Sequence, residues 1–302
     1  MATPQSHDAD PPFTRMTPPS GESLMATCWS SAGDAASDRD DLRSPLPLRR
    51  RIEAASAAGF TGFGLLSADL PAAVDSYGLP GIRAMLEDNG IVDLELEDIP
   101  RWWDEGSARR ESDRVRAQLL DAADALGARH IKVTPDGENA PWDRDRWARE
   151  MAELAEQAAG VGARLGIEFF PWSNIDTLQA GLDLVESSGH DNAGVIIDAW
   201  HIERAGTPVG DLATVPPNRI VGVELNDADA EVIGTLFEDT VHRRRYCGEG
   251  SFDLPGMVAA IRRAGWTGPW GVEILSAEHR AAPVEDALER AARSARALLD
   301  AS

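Results

Sequence analysis

The sequence predicts an α/β chain folded as one (β/α)8, or TIM, barrel. Three observations carry this. Eight strand-like runs recur along the 302 residues. Most are continuously apolar, without the polar alternation of a half-exposed sheet, which suits parallel strands covered on both faces. The segments between them have helical spacing, and several close on a glycine just before the next run. Eight runs interleaved with helices in a chain of this length match a closed barrel better than a doubly wound sheet.

In order, the strand-like runs are residues 24–28, 60–66, 91–96, 130–133, 165–169, 193–198, 220–225 and 270–275. Among the intervening segments, 113–126 places Val115, Leu119, Leu120, Ala123 and Leu126 on one stripe, and 147–158 does so with Trp147, Met151, Leu154, Ala155 and Ala158. Gly59, Gly90, Gly127, Gly162, Gly189 and Gly265 stand where helices should end, because glycine tolerates the left-handed conformation of a C-cap. Residues 1–22 are rich in Pro, Ser and Asp and lack a basic stretch followed by an apolar one, so they read as a disordered tail and not as a signal peptide. Residues 23–302 form the barrel domain, with no linker or internal repeat to divide it. A last helix over 283–300 can pack on its own barrel or on a neighbour, which leaves a homo-oligomer open.

Composition removes several function classes. A formal net charge of -22 argues against nucleic-acid binding, which needs clustered Lys and Arg to displace counterions. Cys28 and Cys247, the 2 cysteines, are too few for a disulfide framework. No stretch approaches the roughly 18 apolar residues of a membrane span. A cytoplasmic protein with a small-molecule partner is expected.

Four runs in the second half stop on an acid: Glu168, Asp198, Glu224 and Glu273. In a barrel these would be the C-terminal ends of strands 5 to 8, the face on which such barrels carry their active sites. Four converging carboxylates repel unless a cation joins them. Their hard oxygens suit one divalent metal, Mn2+ or Mg2+ first, with Co2+ or Zn2+ as alternatives. The alternative is that they are interior groups paired to Arg or Lys, or N-caps of the following helices. Earlier strands add Glu95 and Glu97, two apart and so on one face, and Lys132 near the end of strand 4. Lys132 can stabilise an enolate or pair structurally with Glu97. Trp29, Trp103, Trp172 and Trp200 follow strand ends, where an indole face can stack on a sugar ring or simply pack. Cys28 is expected to end strand 1 at the pocket, with no base placed to make it a nucleophile.

The pieces Gly166-Ile167-Glu168-Phe169, Ile197-Asp198-Ala199-Trp200-His201, Val223-Glu224-Leu225-Asn226-Asp227, Arg243-Arg244-Arg245-Tyr246-Cys247-Gly248-Glu249-Gly250 and Gly271-Val272-Glu273 resemble the sugar phosphate isomerase/epimerase family of xylose isomerase-like barrels. The likeness runs from about residue 22 to 300. It implies one divalent metal held by acids of strands 5, 6 and 8, at the positions of Glu168, Asp198 and Glu273, with a His or Gln from strand 7. Glu224 departs from that pattern: either the site is all-carboxylate and favours a hard ion, or this acid points elsewhere. The resemblance further implies that His201, in an Asp-x-x-His motif, contacts substrate oxygen or the metal shell. One arginine of the triple, Arg244 by register, would hold a substrate oxyanion or hydroxyl.

What the resemblance implies about activity is a metal-dependent isomerase or epimerase acting on a keto sugar or polyol ketone through an enediolate. Glu168 or Glu273 would remove the proton beside the carbonyl and the other return it, with His201, Arg244, Glu97, Lys132 and Trp172 around the substrate. The alternative is a dehydratase of the keto-inositol or 3-dehydroshikimate type, in which the same enolate expels a β-hydroxyl with His201 or Lys132 as the acid. DNA-repair endonucleases of the family hold three zinc ions, which 6 His and the net charge of -22 do not fit. A non-catalytic sugar-binding barrel is disfavoured by the intact acids. Gly248-Glu249-Gly250 is the one short turn that resembles a phosphate loop.

Overall fold

The computed structural model describes residues 21–302. Of the tail expected over 1–22, all but Gly21 and Glu22 lies outside the described residues. Strand β1 (Leu24–Ala26) is followed by the short α1 (Cys28–Ser31) and by α2 (Leu48–Ala57), β2 (Gly62–Leu66) by α3 (Leu70–Asp88), and β3 (Asp93–Ile99) by α4 (Gly106–Leu126). Then come β4 (His130–Val133), α5 (Arg144–Gly160), β5 (Arg164–Glu168), α6 (Leu178–Ser188), β6 (Ala193–Asp198), α7 (Ala199–Arg204) and α8 (Val209–Leu212). The chain ends with β7 (Ile220–Leu225), α9 (Leu236–Arg243), α10 (Leu254–Arg263), β8 (Trp270–Val272), α11 (Ala277–Ala281) and α12 (Val284–Ala301). The eight strands close in chain order into a parallel barrel, β8 pairing with β1. The expected (β/α)8 architecture is the observed one.

Both faces of these strands are buried, so their apolar runs are continuous: every residue of β6 and β7 is buried. Gly127 and Gly189 end α4 and α6 in the left-handed conformation (φ 70 and 65), as a helix C-cap demands. The amphipathic α12 packs against α2 and α10 of its own barrel.

β1 and β8 end two or more residues before their runs do, for local reasons. β1 stops at Ala26, and Cys28 begins α1 instead of ending the strand. The hydroxyls of Thr27 and Ser30 donate to the Val272 carbonyl (3.3 and 2.8 Å) and turn the chain there. β8 stops at Val272 because the residues past Glu273 turn to other partners: Ile274 N donates to Ser30 Oγ (2.8 Å), Arg244 N donates to the Leu275 carbonyl (3.0 Å), and Arg243, at the end of α9, bridges Ser276.

Side chains two apart on a strand share a face. Glu97, Lys132, Glu168, Asp198 and Glu224, with Glu273 just past β8, therefore form an upper layer of the barrel interior. Two residues below each lie Glu95, His130, Gly166, Ile196, Gly222 and Gly271. Ile196 occupies the room its glycine neighbours leave: a Cβ at Gly166 or Gly222 would lie 2.6 or 2.9 Å from its Cδ1. At Gly271 a Cβ would stand 3.0 Å from Glu224 Cγ and 2.7 Å from the Val223 carbonyl oxygen, so the absent side chain lets Glu224 lie across β8.

Candidate functional site

Strand ends deliver the acids, and barrel closure brings them together. One oxygen from each of Glu168, Asp198, Glu224 and Glu273 lies within 4.8 Å of the others, and all four residues are buried. Oxygens bound to a single divalent ion at roughly 2.0–2.6 Å are no more than about 5 Å apart. Glu224 Oε2 and Glu273 Oε1 are buried with no hydrogen-bond partner. Such orphaned acceptors are costly unless something donates to or coordinates them. The set could hold a divalent cation.

Two protein cations stand among these acids. Lys132 Nζ lies 2.7 Å from Glu224 Oε1, 2.9 Å from Glu168 Oε2, 3.0 Å from Glu97 Oε2 and 3.9 Å from Glu273 Oε1. Arg244 donates through one nitrogen to Asp198 Oδ2 and Glu273 Oε2, both at 2.8 Å, and through Nε and its other terminal nitrogen to Thr240. Five acids thus face two permanent cations. Burial pushes the Glu224 carboxyl well above the usual range, and the neighbouring Glu273 charge pushes it further. Burial also raises Glu273, against the pull of Lys132 and Arg244. Glu97 is pushed up to about 7, mainly by burial. Burial works on Glu168 in the same direction, but Lys132 and the His201 hydrogen bond outweigh it and hold this carboxyl below the usual range. Burial opposes the Lys132 charge, and Glu168, Glu224 and Glu97 more than offset it.

The remaining expected residues fall as follows. Asp198 is both site acid and helix cap, since its Oδ1 accepts from His201 N at 3.0 Å. His201 Nε2 lies 3.3 Å from Glu168 Oε1. Of the arginine triple only Arg244 turns inward; Arg243 and Arg245 pair with Asp229 on the outside. Trp172 lies beside the site, stacked on Phe170 (5.1 Å, 11°) and 5.9 Å from the His201 ring. Trp29 Nε1 donates to Glu97 Oε1 at 3.2 Å, whereas Trp200 is core and donates to Asp239. Trp103 stacks on Trp147, away from the acids. The Cys28 thiol, raised by burial, lies 3.4 Å from Glu97 Oε2. The amides of Gly248 and Gly250 both donate to Asp227 Oδ2 (3.0 Å each), so that turn is closed on a carboxylate of the chain itself.

Asn226 was not singled out by sequence reasoning. Its Nδ2 donates to Asp198 Oδ2 at 2.7 Å, and its buried Oδ1 has no partner. The signal was available: Asn226 is two residues past Glu224 and so shares its side of the chain.

The profile of the xylose isomerase-like TIM barrel family matches residues 52–298, and the chain belongs to this family. It is 31% identical over 243 residues to a 3-dehydroshikimate dehydratase of Pseudomonas aeruginosa, a match covering 78% of this chain and 37% of that protein. It is 26% identical over 143 residues to an inosose isomerase of Halalkalibacterium halodurans, covering 47% of this chain and 50% of the relative. The chain thus spans well under two thirds of the length of these curated relatives. Among solved structures, the IolI protein with a bound zinc atom superposes with a TM-score of 0.79 at 17% identity, covering 92% of this chain and 98% of the other, a likeness of fold. Among the described residues no helix is long and apolar enough to cross a membrane.

Proposed function

We propose that this protein is a divalent-metal enzyme that removes the proton beside the carbonyl of a small polyhydroxylated ketone. The observation that carries the reading is the meeting of Glu168, Asp198, Glu224 and Glu273 within 4.8 Å at the C-terminal end of the barrel, two of them with orphaned oxygens. Glu168, Asp198 and Glu273 are the metal ligands, with Glu224 as the strand-7 member; Mn2+ or Mg2+ suits an all-oxygen set best. A divalent cation held there supplies Lewis acidity that lowers the cost of negative charge on the substrate oxygens.

The protein's own groups divide the proton transfer. Carboxyls whose environments push their pKa values apart are candidates for base and acid. Glu168, held below the usual carboxyl range in the metal-free protein by Lys132 and the His201 hydrogen bond, takes the carbon-bound proton. Glu273, raised by burial, returns one. They reach the centre from β5 and β8, on different sides, which is the arrangement a change of configuration needs. Arg244, with its guanidinium engaged by Asp198, Glu273 and Thr240, balances the acids and fixes their orientation. Trp172 and His201 wall the mouth where the substrate ring or chain would lie.

Two outcomes of the enolate remain: reprotonation, giving an isomerase or epimerase, and loss of a β-hydroxyl, giving a dehydratase. The dehydratase reading is favoured by the Pseudomonas relative, whose match extends over most of this chain. In that case His201, beside Glu168, protonates the leaving hydroxyl. The test pairs elemental analysis of wild type and Glu168→Gln with a substrate panel in D2O. About one metal per wild-type chain, lost in the variant, is expected. Deuterium at carbon without absorbance change marks an isomerase or epimerase, and a growing enone absorbance marks a dehydratase. Absence of metal, exchange and absorbance alike would overturn the reading.

A further inference from the structure

The acid cluster already contains a cation. We propose that Lys132 is an internal counter-ion that competes with the divalent metal for Glu168 and Glu224, and that Glu97 is the acid that retains its ammonium when the metal binds. The proposal rests on the reading of the four acids as a cation site.

Hydrogen-bond bookkeeping supports it. Of the four ligand acids, only Glu224 and Glu273 have a wholly unpartnered oxygen. Both oxygens of Glu168 are engaged, Oε2 by Lys132 Nζ at 2.9 Å and Oε1 by His201 Nε2 at 3.3 Å. Glu224 Oε1 is held by the same Nζ at 2.7 Å. A cation bridging Glu168 and Glu224 would therefore lie next to an ammonium fully enclosed in the barrel, and like charges at such separation repel strongly in a buried site. Lysine suits this arrangement where arginine would not, because its single charge on a flexible stem can shift without breaking a planar fork.

Glu97 lies outside the four-acid set and is anchored from the other side. Its Oε1 accepts from Trp29 Nε1 at 3.2 Å, and its Oε2 accepts from Lys132 Nζ at 3.0 Å. Lys132 and Glu97 stand on adjacent strands, β4 and β3. A small swing of the lysine stem toward β3 frees Glu168 and Glu224 while the pair with Glu97 is kept. The ammonium then keeps a carboxylate partner in both the metal-free and the metal-loaded state.

The experiment is calorimetric titration of chelator-stripped protein with Mn2+, alongside melting curves with and without Mn2+. Lys132→Met, similar in length but uncharged, should bind Mn2+ at least 10-fold more tightly than wild type and melt lower in chelator, recovering when Mn2+ is added. Glu97→Gln should bind Mn2+ several-fold more weakly, because the ammonium loses the acid that draws it away. Unchanged or weaker affinity in Lys132→Met would overturn the proposal. If that variant does not fold, Glu97→Gln decides alone, and equal or tighter binding there overturns it. Wild type that binds no Mn2+ would instead remove the metal reading on which the proposal rests.

Discussion

Two layers of the same barrel interior bury charged groups in opposite ways. In the lower layer one acid meets one base: Glu95 Oε2 and His130 Nε2 are 2.8 Å apart on β3 and β4, with Ile196 and glycines filling the rest. In the upper layer, two residues further along the same strands, Lys132 is shared among Glu97, Glu168 and Glu224 and approaches Glu273. The lower pair matches one acid to one base, although Glu95 Oε1 and His130 Nδ1 are also buried without a hydrogen-bond partner. The upper ring has more carboxylates than the protein has cations for, and it leaves oxygens unpartnered. Burying surplus like charge destabilises a fold, so under the proposed function the excess marks the layer that serves chemistry, and the one-to-one pair the layer that serves packing.

Substituting the upper ring should give the largest effect. Glu273→Gln keeps the side-chain volume, lowers the surplus negative charge and removes a proton-carrying group. A general acid or base is worth about 100- to 10,000-fold in rate. Turnover of the cognate ketone should fall by that factor, with metal binding weakened and the melting temperature in chelator equal to or above that of wild type. Full activity in Glu273→Gln would erase the distinction between the layers. The matching change below is His130→Ala, which leaves the Glu95 carboxylate buried without its donor. A stability loss of about 3 kcal/mol is expected from such a broken buried pair, measured by urea unfolding, with kcat within about threefold of wild type. A rate loss as large as that of Glu273→Gln would mean that the pair belongs to the reaction.

How far the sequence spoke differs between the layers too. The acids of the upper ring were legible because each ends an apolar run, and strand periodicity fixes which face it takes. Arg244 was legible by register alone, and its two neighbours do point outward. The sharing of Lys132 among acids of β3, β5 and β7 was not legible, because it depends on barrel closure across the interior, and a sequence reading paired Lys132 with Glu97 at most. Nor was the fate of the Gly248-Glu249-Gly250 turn. Its amides are taken by Asp227, twenty-one residues before Gly248, so a local glycine pattern said nothing of its partner. β8 was read too long because the apolar residues Ile274 and Leu275 continue past it, and the ladder's end shows in long-range bonds, Ile274 N to Ser30 Oγ and Arg244 N to the Leu275 carbonyl.

The smallest effect separates the layers by the sign of a pH dependence. In metal-free protein Glu97, Glu224 and Glu273 are all raised by burial, Glu97 to about 7. Between the ordinary carboxyl value and those raised ones, the folded state binds more protons than the unfolded state. Stability from these groups is therefore fully present at low pH and is lost as pH rises toward 7 and beyond, by up to about 1.4 kcal/mol per pH unit for each proton. Glu168, held low, acts with the opposite sign but only far below this window. In the lower layer burial lowers His130, so the unfolded state takes up its proton first and stability from this residue falls as pH drops through its ordinary value. Three raised acids outweigh the two buried histidines held low, His130 and His279, and the melting temperature in chelator should fall between pH 5 and pH 7. Saturating Mn2+ should flatten or reverse that fall, because a bound divalent charge inverts the local pKa order. His130→Ala should steepen it in chelator by removing an opposing group. A melting temperature that rises with pH in chelator would show that the upper ring does not hold its surplus as protonated carboxyls.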